Sequence, residues 1–181
     1  MTYMEQRAWS DKFLPEVMEI VHRNHHLLPR PAMGATVCIA DEMRDMKQAT
    51  DAIITHTGEV CIAIRIRRFK YLPSYRNEFT IRIKSKHGGQ SELEKIRAGF
   101  CSVYFYGFAN DAEDGLAFWR ILDVSKFRRW LRKIEKTVKR PFQTIDNRDG
   151  SMGAAFRVRD SLADCVIVDS TDKDSDQLPL F

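Results

Sequence analysis

Arg65, Arg67 and Arg68, followed by Arg82, Lys84 and Lys86, recur at alternate or adjacent positions in two short apolar runs. A strand presents every second residue on one face, so this spacing gathers cations onto a common side. Clustered Lys and Arg neutralise phosphates and release counterions, which is the chemistry of a polyanion partner. Between Cys61 and Phe100, ten Lys/Arg oppose three acids, and from Arg120 to Arg140 nine oppose two. From Asp160 onward the sign inverts, with six Asp against one Lys. The acids best placed for chemistry are Asp51, which opens a strand-like run, and Glu92, with Lys95 one helical turn on. Each has a structural alternative: Asp51 can cap a turn after Ala49-Thr50, and Glu92 with Lys95 can be an ordinary exposed turn of helix. Glu78, Glu59, Asp45 and Asp41 are further candidates.

Other chemistry is thin. His22 and His26 stand four apart on or just after a helix, without the Glu of the HExxH order and without a third ligand, so they read as surface histidines. Gly88-Gly89 lacks the pattern of a phosphate-binding loop, and no GxSxG elbow occurs. Cys38, Cys61, Cys101 and Cys165 form no CxxC pair and lie in apolar runs, so they read as buried free thiols in a reducing cytoplasm. Tyr104, Phe105 and Tyr106 could stack bases but read as core, as do Trp119 and Trp130.

The elements that must position these residues follow from periodicity. Asp11 to His25 carries apolar residues at helical spacing, with Ser10 or Asp11 as cap, and Leu28-Pro29-Arg30-Pro31 ends it. The stretch before it, Met1 to Asp11, is polar and mixed in charge, with no signal-peptide pattern. Thr36–Ala40 and Asp51–Thr55 read as short strands. Glu59–Arg68 alternates, with Val60, Ile62, Ile64 and Ile66 opposite Cys61, Ala63, Arg65 and Arg67. Tyr71–Asn77 reads as a loop, and Glu78–Lys84 as a strand. Ser91 caps a helix to Ala98, with Glu94 at the capping-box position and Gly99 as the stop. Cys101–Ala109 is a buried strand, Gly115–Lys139 one or two amphipathic helices, and Pro141–Ala155 a loop. Cys165–Val168 adds a last strand. The expected architecture is α/β, a mixed sheet with flanking helices, in one domain over residues 1–168. Residues 169–181 form an acidic tail that cannot build a core. No apolar run is long enough for a membrane-spanning helix.

The tail ends Gln177-Leu178-Pro179-Leu180-Phe181. Gln177 offers a donor and an acceptor, and Leu178, Leu180 and Phe181 are apolar anchors. Burying each anchor is worth roughly 1.5–3 kcal/mol before ordering costs, consistent with micromolar affinity. Pro179 stiffens the peptide and lowers its ordering cost. This pentapeptide resembles the one by which bacterial proteins bind the DNA polymerase sliding clamp, its beta subunit, and all four defining positions match. A chance match at one fixed position is on the order of one in 10⁵. The resemblance implies a place beside DNA, in the cytoplasm of a bacterium or a phage-infected bacterium. The structural alternative is a tail that folds back and buries Leu180 and Phe181.

The order of three strands, a helix and a strand, with acids on the early strands, resembles the PD-(D/E)xK nuclease superfamily, a restriction-endonuclease-like core. That resemblance implies Mg²⁺ held by carboxylates, with Asp51 and Glu92 as metal ligands and Lys95 and Arg65 at the phosphate. The chain departs from the pattern: Ala63 stands where a Glu is wanted and Arg65 where a Lys is wanted. An Arg stays protonated and cannot act as a base. Asp45–Asp51, Arg65–Arg67, Glu78–Arg82 and Tyr104–Gly107 are also similar to uncharacterised phage and prophage proteins. Two functions follow. One is a Mg²⁺-dependent endonuclease brought to DNA by the clamp. The other is a catalytically inactive nuclease-like fold that binds clamp and DNA as an adaptor or as a phage inhibitor of host replication. In either, Arg65, Arg67, Arg68, Arg82, Lys84 and Lys86 are the expected nucleic-acid contacts. An RNA-acting protein fits the basic face equally but leaves the pentapeptide unexplained.

Overall fold

The computed structural model describes residues 3–29, 36–39, 52–55, 60–85, 89–138, 142–147 and 150–171. Helices α1 (Tyr3–Asp11) and α2 (Leu14–Arg23) open the chain. Strands β1 (Thr36–Ile39), β2 (Ala52–Thr55) and β3 (Val60–Arg67) follow. A helical turn (Phe69–Tyr71), short helix α3 (Leu72–Tyr75), strand β4 (Glu78–Lys84) and helix α4 (Glu92–Ala98) come next. Strands β5 (Val103–Ala109) and β6 (Leu116–Asp123), helix α5 (Val124–Thr137) and strands β7 (Gln143–Asp146), β8 (Met152–Arg157) and β9 (Val166–Asp169) complete it.

Six strands form a mixed sheet in the order β1-β2-β3-β5-β6-β9, in which β3 and β5 run parallel and the other neighbours antiparallel. The expected mixed sheet with flanking helices is therefore present. It is joined by a second, antiparallel sheet, β4-β8-β7, that the sequence reading did not foresee.

The alternation of β3 sorts the two faces of the large sheet. Ile62, Phe105, Ile121 and Val168 pack with Val17 and Val21 of α2, and Ile64 and Ile66 lie against them. The opposite face carries Ala63, Tyr104, Tyr106, Phe108, Phe118 and Leu122. It meets Phe79 and Ile81 of β4, Phe156 of β8, Leu93 and Ile96 of α4, and Phe127 and Leu131 of α5. The arginines of β3 share this second face, so they point between two layers.

α4 has the sequence-expected ends. Ser91 accepts from the Glu94 N–H, Glu94 accepts from the Ser91 N–H, and Gly99 at φ 89° takes the left-handed cap position. Four expectations are corrected. The expected helix Asp11–His25 is present as α2, Leu14–Arg23, without a side-chain cap from Ser10 or Asp11, and a separate helix, α1, occupies the polar stretch before it. Pro15 fits the first turn of α2, where its missing N–H costs nothing, and the chain turns at Lys12-Phe13 before it. The first half of Gly115–Lys139 is β6, because Phe118, Arg120 and Leu122 face one layer while Trp119 and Ile121 face the other. Two-sided burial leaves a strand without the polar alternation that would reveal it. Pro141–Ala155 is not a loop but contains β7 and most of β8. There, small residues at Gly153 and Ala154 allow close packing against Ile81 and Ile145. Tyr71–Asn77, also expected as loop, includes α3. Cys101 and Cys165 are buried free thiols as expected, and Cys61 is partly buried. Trp119 and Trp130 are half-buried, Trp119 on a strand rather than a helix.

Candidate functional site

Sheet register puts four polar residues in one row across neighbouring strands. Arg65 of β3 lies opposite Tyr106 of β5, Tyr106 opposite Arg120 of β6, and Arg120 opposite Asp169 of β9. One step along, Ala63 lies opposite Tyr104. The row runs through the interlayer, beneath β4 and α4.

At one end, Glu92 in the first turn of α4 reaches down to the row. Its Oε2 accepts from Arg65 Nη1 at 2.7 Å and from the Arg82 backbone N–H at 2.8 Å. Its Oε1 accepts from the Tyr104 hydroxyl. Burial works against the Arg65 charge, but Glu92, with Tyr104 and Tyr106, outweighs it and holds the guanidinium's pKa above its ordinary value. The Tyr104 phenol is pushed well above its usual range by burial first and then by the adjacent carboxylate, so it remains a donor.

In the middle, Arg67 Nη1 donates to Thr80 Oγ1 at 2.8 Å and to the Tyr106 hydroxyl at 3.3 Å. Its guanidinium lies 4.5 and 4.7 Å from the ring centroids of Tyr71 and Tyr75, a cation–π box. Exposed Phe69, Lys70 and Tyr71 continue this shelf to the surface. Arg68 turns elsewhere, to Glu113 at 2.5 Å and over Trp9 at 4.7 Å, tying β3 to α1 and to the β5–β6 turn.

Of the sequence-derived residues, the structure brings Arg65 and Glu92 together. Lys95 is half-buried on α4, one turn beyond Glu92, and Arg82 and Lys84 are exposed on β4. Glu78 pairs with Arg157 at 3.3 Å. Asp51, Lys86, Glu59, Asp45, Asp41 and the pentapeptide residues Gln177, Leu178, Leu180 and Phe181 lie outside the described residues. Sequence reasoning missed Tyr106, Arg120 and Asp169 as members of the polar row, and Tyr104 and Thr80 as partners of its arginine-lined face. The available signal was the alternation Tyr104-Phe105-Tyr106, which places two hydroxyls on the face that Arg65 and Arg67 share.

The arrangement can hold charge but offers no spare base. Both Glu92 oxygens accept from internal donors, one of them a guanidinium. Mg²⁺ asks for free oxygen ligands in near-octahedral geometry. Among the described residues no group of three or more His, Cys, Asp or Glu could hold a metal ion. The described donors therefore do not fit the divalent cation that the nuclease resemblance implies. Among the described residues no helix is long and apolar enough to cross a membrane. Comparison with protein-family models, with curated proteins and with solved structures found no match to this chain.

Proposed function

We propose that this chain is a DNA-acting protein recruited to the bacterial sliding clamp by Gln177 to Phe181. Its restriction-endonuclease-like core serves as a binding adaptor rather than as a Mg²⁺-dependent endonuclease. The observation that carries the choice between the two is the ion pair of Arg65 with Glu92, closed by the Arg82 N–H and the Tyr104 hydroxyl. A carboxylate committed to three internal donors is a structural tie. The nuclease-like reading of the core is supported by the order of three antiparallel strands, an intervening helix and a fourth strand parallel to the third.

DNA contact in this reading falls to exposed cations. Arg82, Lys84 and Lys70 qualify, as do Lys126, Arg129, Arg132, Lys133 and Lys136 of α5. Tethering by the tail would raise their effective concentration at newly made DNA.

The test incubates the full chain with labelled duplex, single-stranded and branched DNA, with Mg²⁺, Mn²⁺ or chelator, with and without the clamp. Binding without cleavage is expected on every substrate, together with clamp binding that disappears when Gln177 to Phe181 are deleted. Metal-dependent cleavage that disappears in Asp51→Ala and Glu92→Gln would overturn the adaptor reading and establish the enzyme. Clamp binding that survives the deletion would overturn the recruitment.

A further inference from the structure

The far end of the polar row holds a charge without adequate partners. Arg120 exposes only 4% of its side chain. Its Nη2 donates to the Arg76 carbonyl at 2.7 Å, and Asp169 stands 3.9 Å away, beyond hydrogen-bond distance. Its Nε and Nη1 are buried and have no hydrogen-bond partner. Asp169 is also engaged by the backbone N–H and hydroxyl of Thr171. Leaving donors of a buried charged group unsatisfied is expensive, so such groups in native proteins have a partner from outside the chain or an ordered water.

A second cation stands beside the first. The Arg76 and Arg120 guanidiniums lie 5.4 and 4.8 Å from the centroid of the same Phe118 ring. Burial lowers the Arg120 pKa and the Arg76 charge lowers it further, against the opposing influence of Asp169 and Tyr106. Two guanidiniums drawn together over one ring, with one carboxylate paired at 3.9 Å without a hydrogen bond and two donors unpartnered, form an arrangement with more positive than negative charge. Arg76 is exposed, so the arrangement meets solvent at that side.

We propose that Arg120 and Arg76 form a seat for a phosphate oxyanion beside Phe118. Guanidinium suits this ligand because its planar donors match tetrahedral oxygens and its charge is permanent. Nε–H and Nη1–H point to different edges of the guanidinium, so the ligand would accept from one of these two unpartnered Arg120 donors and pair with the charge of Arg76. The seat does not depend on recruitment to the clamp or on the fate of Glu92. The same chemistry comes from free phosphate or from a nucleic-acid backbone, and the experiment separates the two.

The experiment titrates inorganic phosphate into the full chain by calorimetry and by thermal unfolding, against sodium chloride at equal ionic strength. The expected result is saturable binding and a melting temperature that rises with phosphate but not with chloride. Arg76→Gln, a surface change that leaves the layers intact, should weaken binding about tenfold or more, as loss of a charge-assisted contact implies. Arg120→Met should abolish it. If Arg120→Met fails to fold, Arg76→Gln still decides. No phosphate effect beyond chloride would overturn the seat and leave the donors to water, and so would unchanged affinity in Arg76→Gln. A single-stranded oligonucleotide then competes. Displacement of phosphate supports the seat with a backbone phosphate as its ligand, and failure to displace supports it with a free phosphate.

Discussion

Removing the Glu92 charge should destabilise this protein, and the size of the loss follows from its surroundings. Exposed ion pairs contribute about 0–1 kcal/mol. Breaking a fully buried pair costs about 3–5 kcal/mol, because a charge is left without its counterion. Arg65 and Glu92 expose 29% and 20% of their side chains, between those limits. Glu92→Gln keeps an oxygen for the Arg82 N–H but loses charge assistance at three donors and strands Arg65. A loss of about 2 kcal/mol is therefore expected, an intermediate value. At this chain length that corresponds to a melting-temperature drop of about 4–8 °C. Urea denaturation of wild type, Glu92→Gln, Arg65→Met and the double variant reads the coupling directly. The double variant should cost about 1.5 kcal/mol less than the sum of the singles. Additivity within about 0.5 kcal/mol would refute the tie. A metal-ligating glutamate would give a different pattern, since relieving a strained or repulsive site costs little stability.

Two further outcomes test the frame around the site. Glu113 sits at φ 56° and accepts from Trp9 at 2.7 Å, with Arg68 and Lys12 beside it. The Trp9 hydrogen bond, followed by those cations, holds its carboxyl below the ordinary range. A depressed carboxylate stabilises the fold above its unfolded pKa and loses that contribution as pH falls through the folded value. Wild type should therefore exceed Glu113→Gln in melting temperature at pH 7, and the gap should narrow as pH falls below the ordinary carboxylate value of about 4.3. A gap that widens as pH falls would contradict the assignment. Gly99→Ala forces a side chain into φ 89° and sets its Cβ 2.5 Å from Arg128 Nη1. It should cost about 1–2 kcal/mol in urea denaturation, and an unchanged midpoint would show that the α4 cap relaxes freely.

Local signals carried far in this chain where one principle acted alone. The Ser91–Glu94 capping box and Gly99 delimit α4 because cap chemistry is contained within a few residues. β3 and β4 were legible because one side of each is apolar. β6 was not, since both of its faces are covered, and Trp119 with Arg120 imitates an amphipathic helix. The second sheet was illegible for a related reason: Gly153, Ala154 and Ala155 carry little strand propensity, and only their pairing with β4 and β7 makes a strand of them. Arg65 was found from its spacing, but its partner geometry depends on a crossover that brings α4 over β3. The apolar neighbours of Tyr104 place it in the core. It is buried, and the same burial carries its hydroxyl to Glu92.

That crossover also changes how the charge pattern relates to DNA. Alternating arginines on a strand gather on one face, but in a layered domain that face is interior. Arg65, Arg67 and Arg68 are held by Glu92, by Thr80 with Tyr106, and by Glu113. Held in this way, they would add little to counterion release under the proposed function. The cations of α5 are different. Asp123 caps that helix, Phe127 and Leu131 turn one side to the core, and Lys126, Arg129, Arg132, Lys133 and Lys136 remain exposed. If the exposed set engages duplex phosphates, each contacting cation adds about 0.9 to the magnitude of the slope of log affinity against log salt. Arg132→Gln with Lys133→Gln should then reduce that slope by up to about 2, while leaving stability within about 0.5 kcal/mol. Arg65→Gln should do the reverse, lowering the unfolding midpoint and leaving the slope unchanged. Fluorescence anisotropy across a salt series separates the two. A slope that falls with Arg65→Gln and not with the α5 pair would return the nucleic-acid face to β3, and would require the Arg65–Glu92 tie to open when DNA binds.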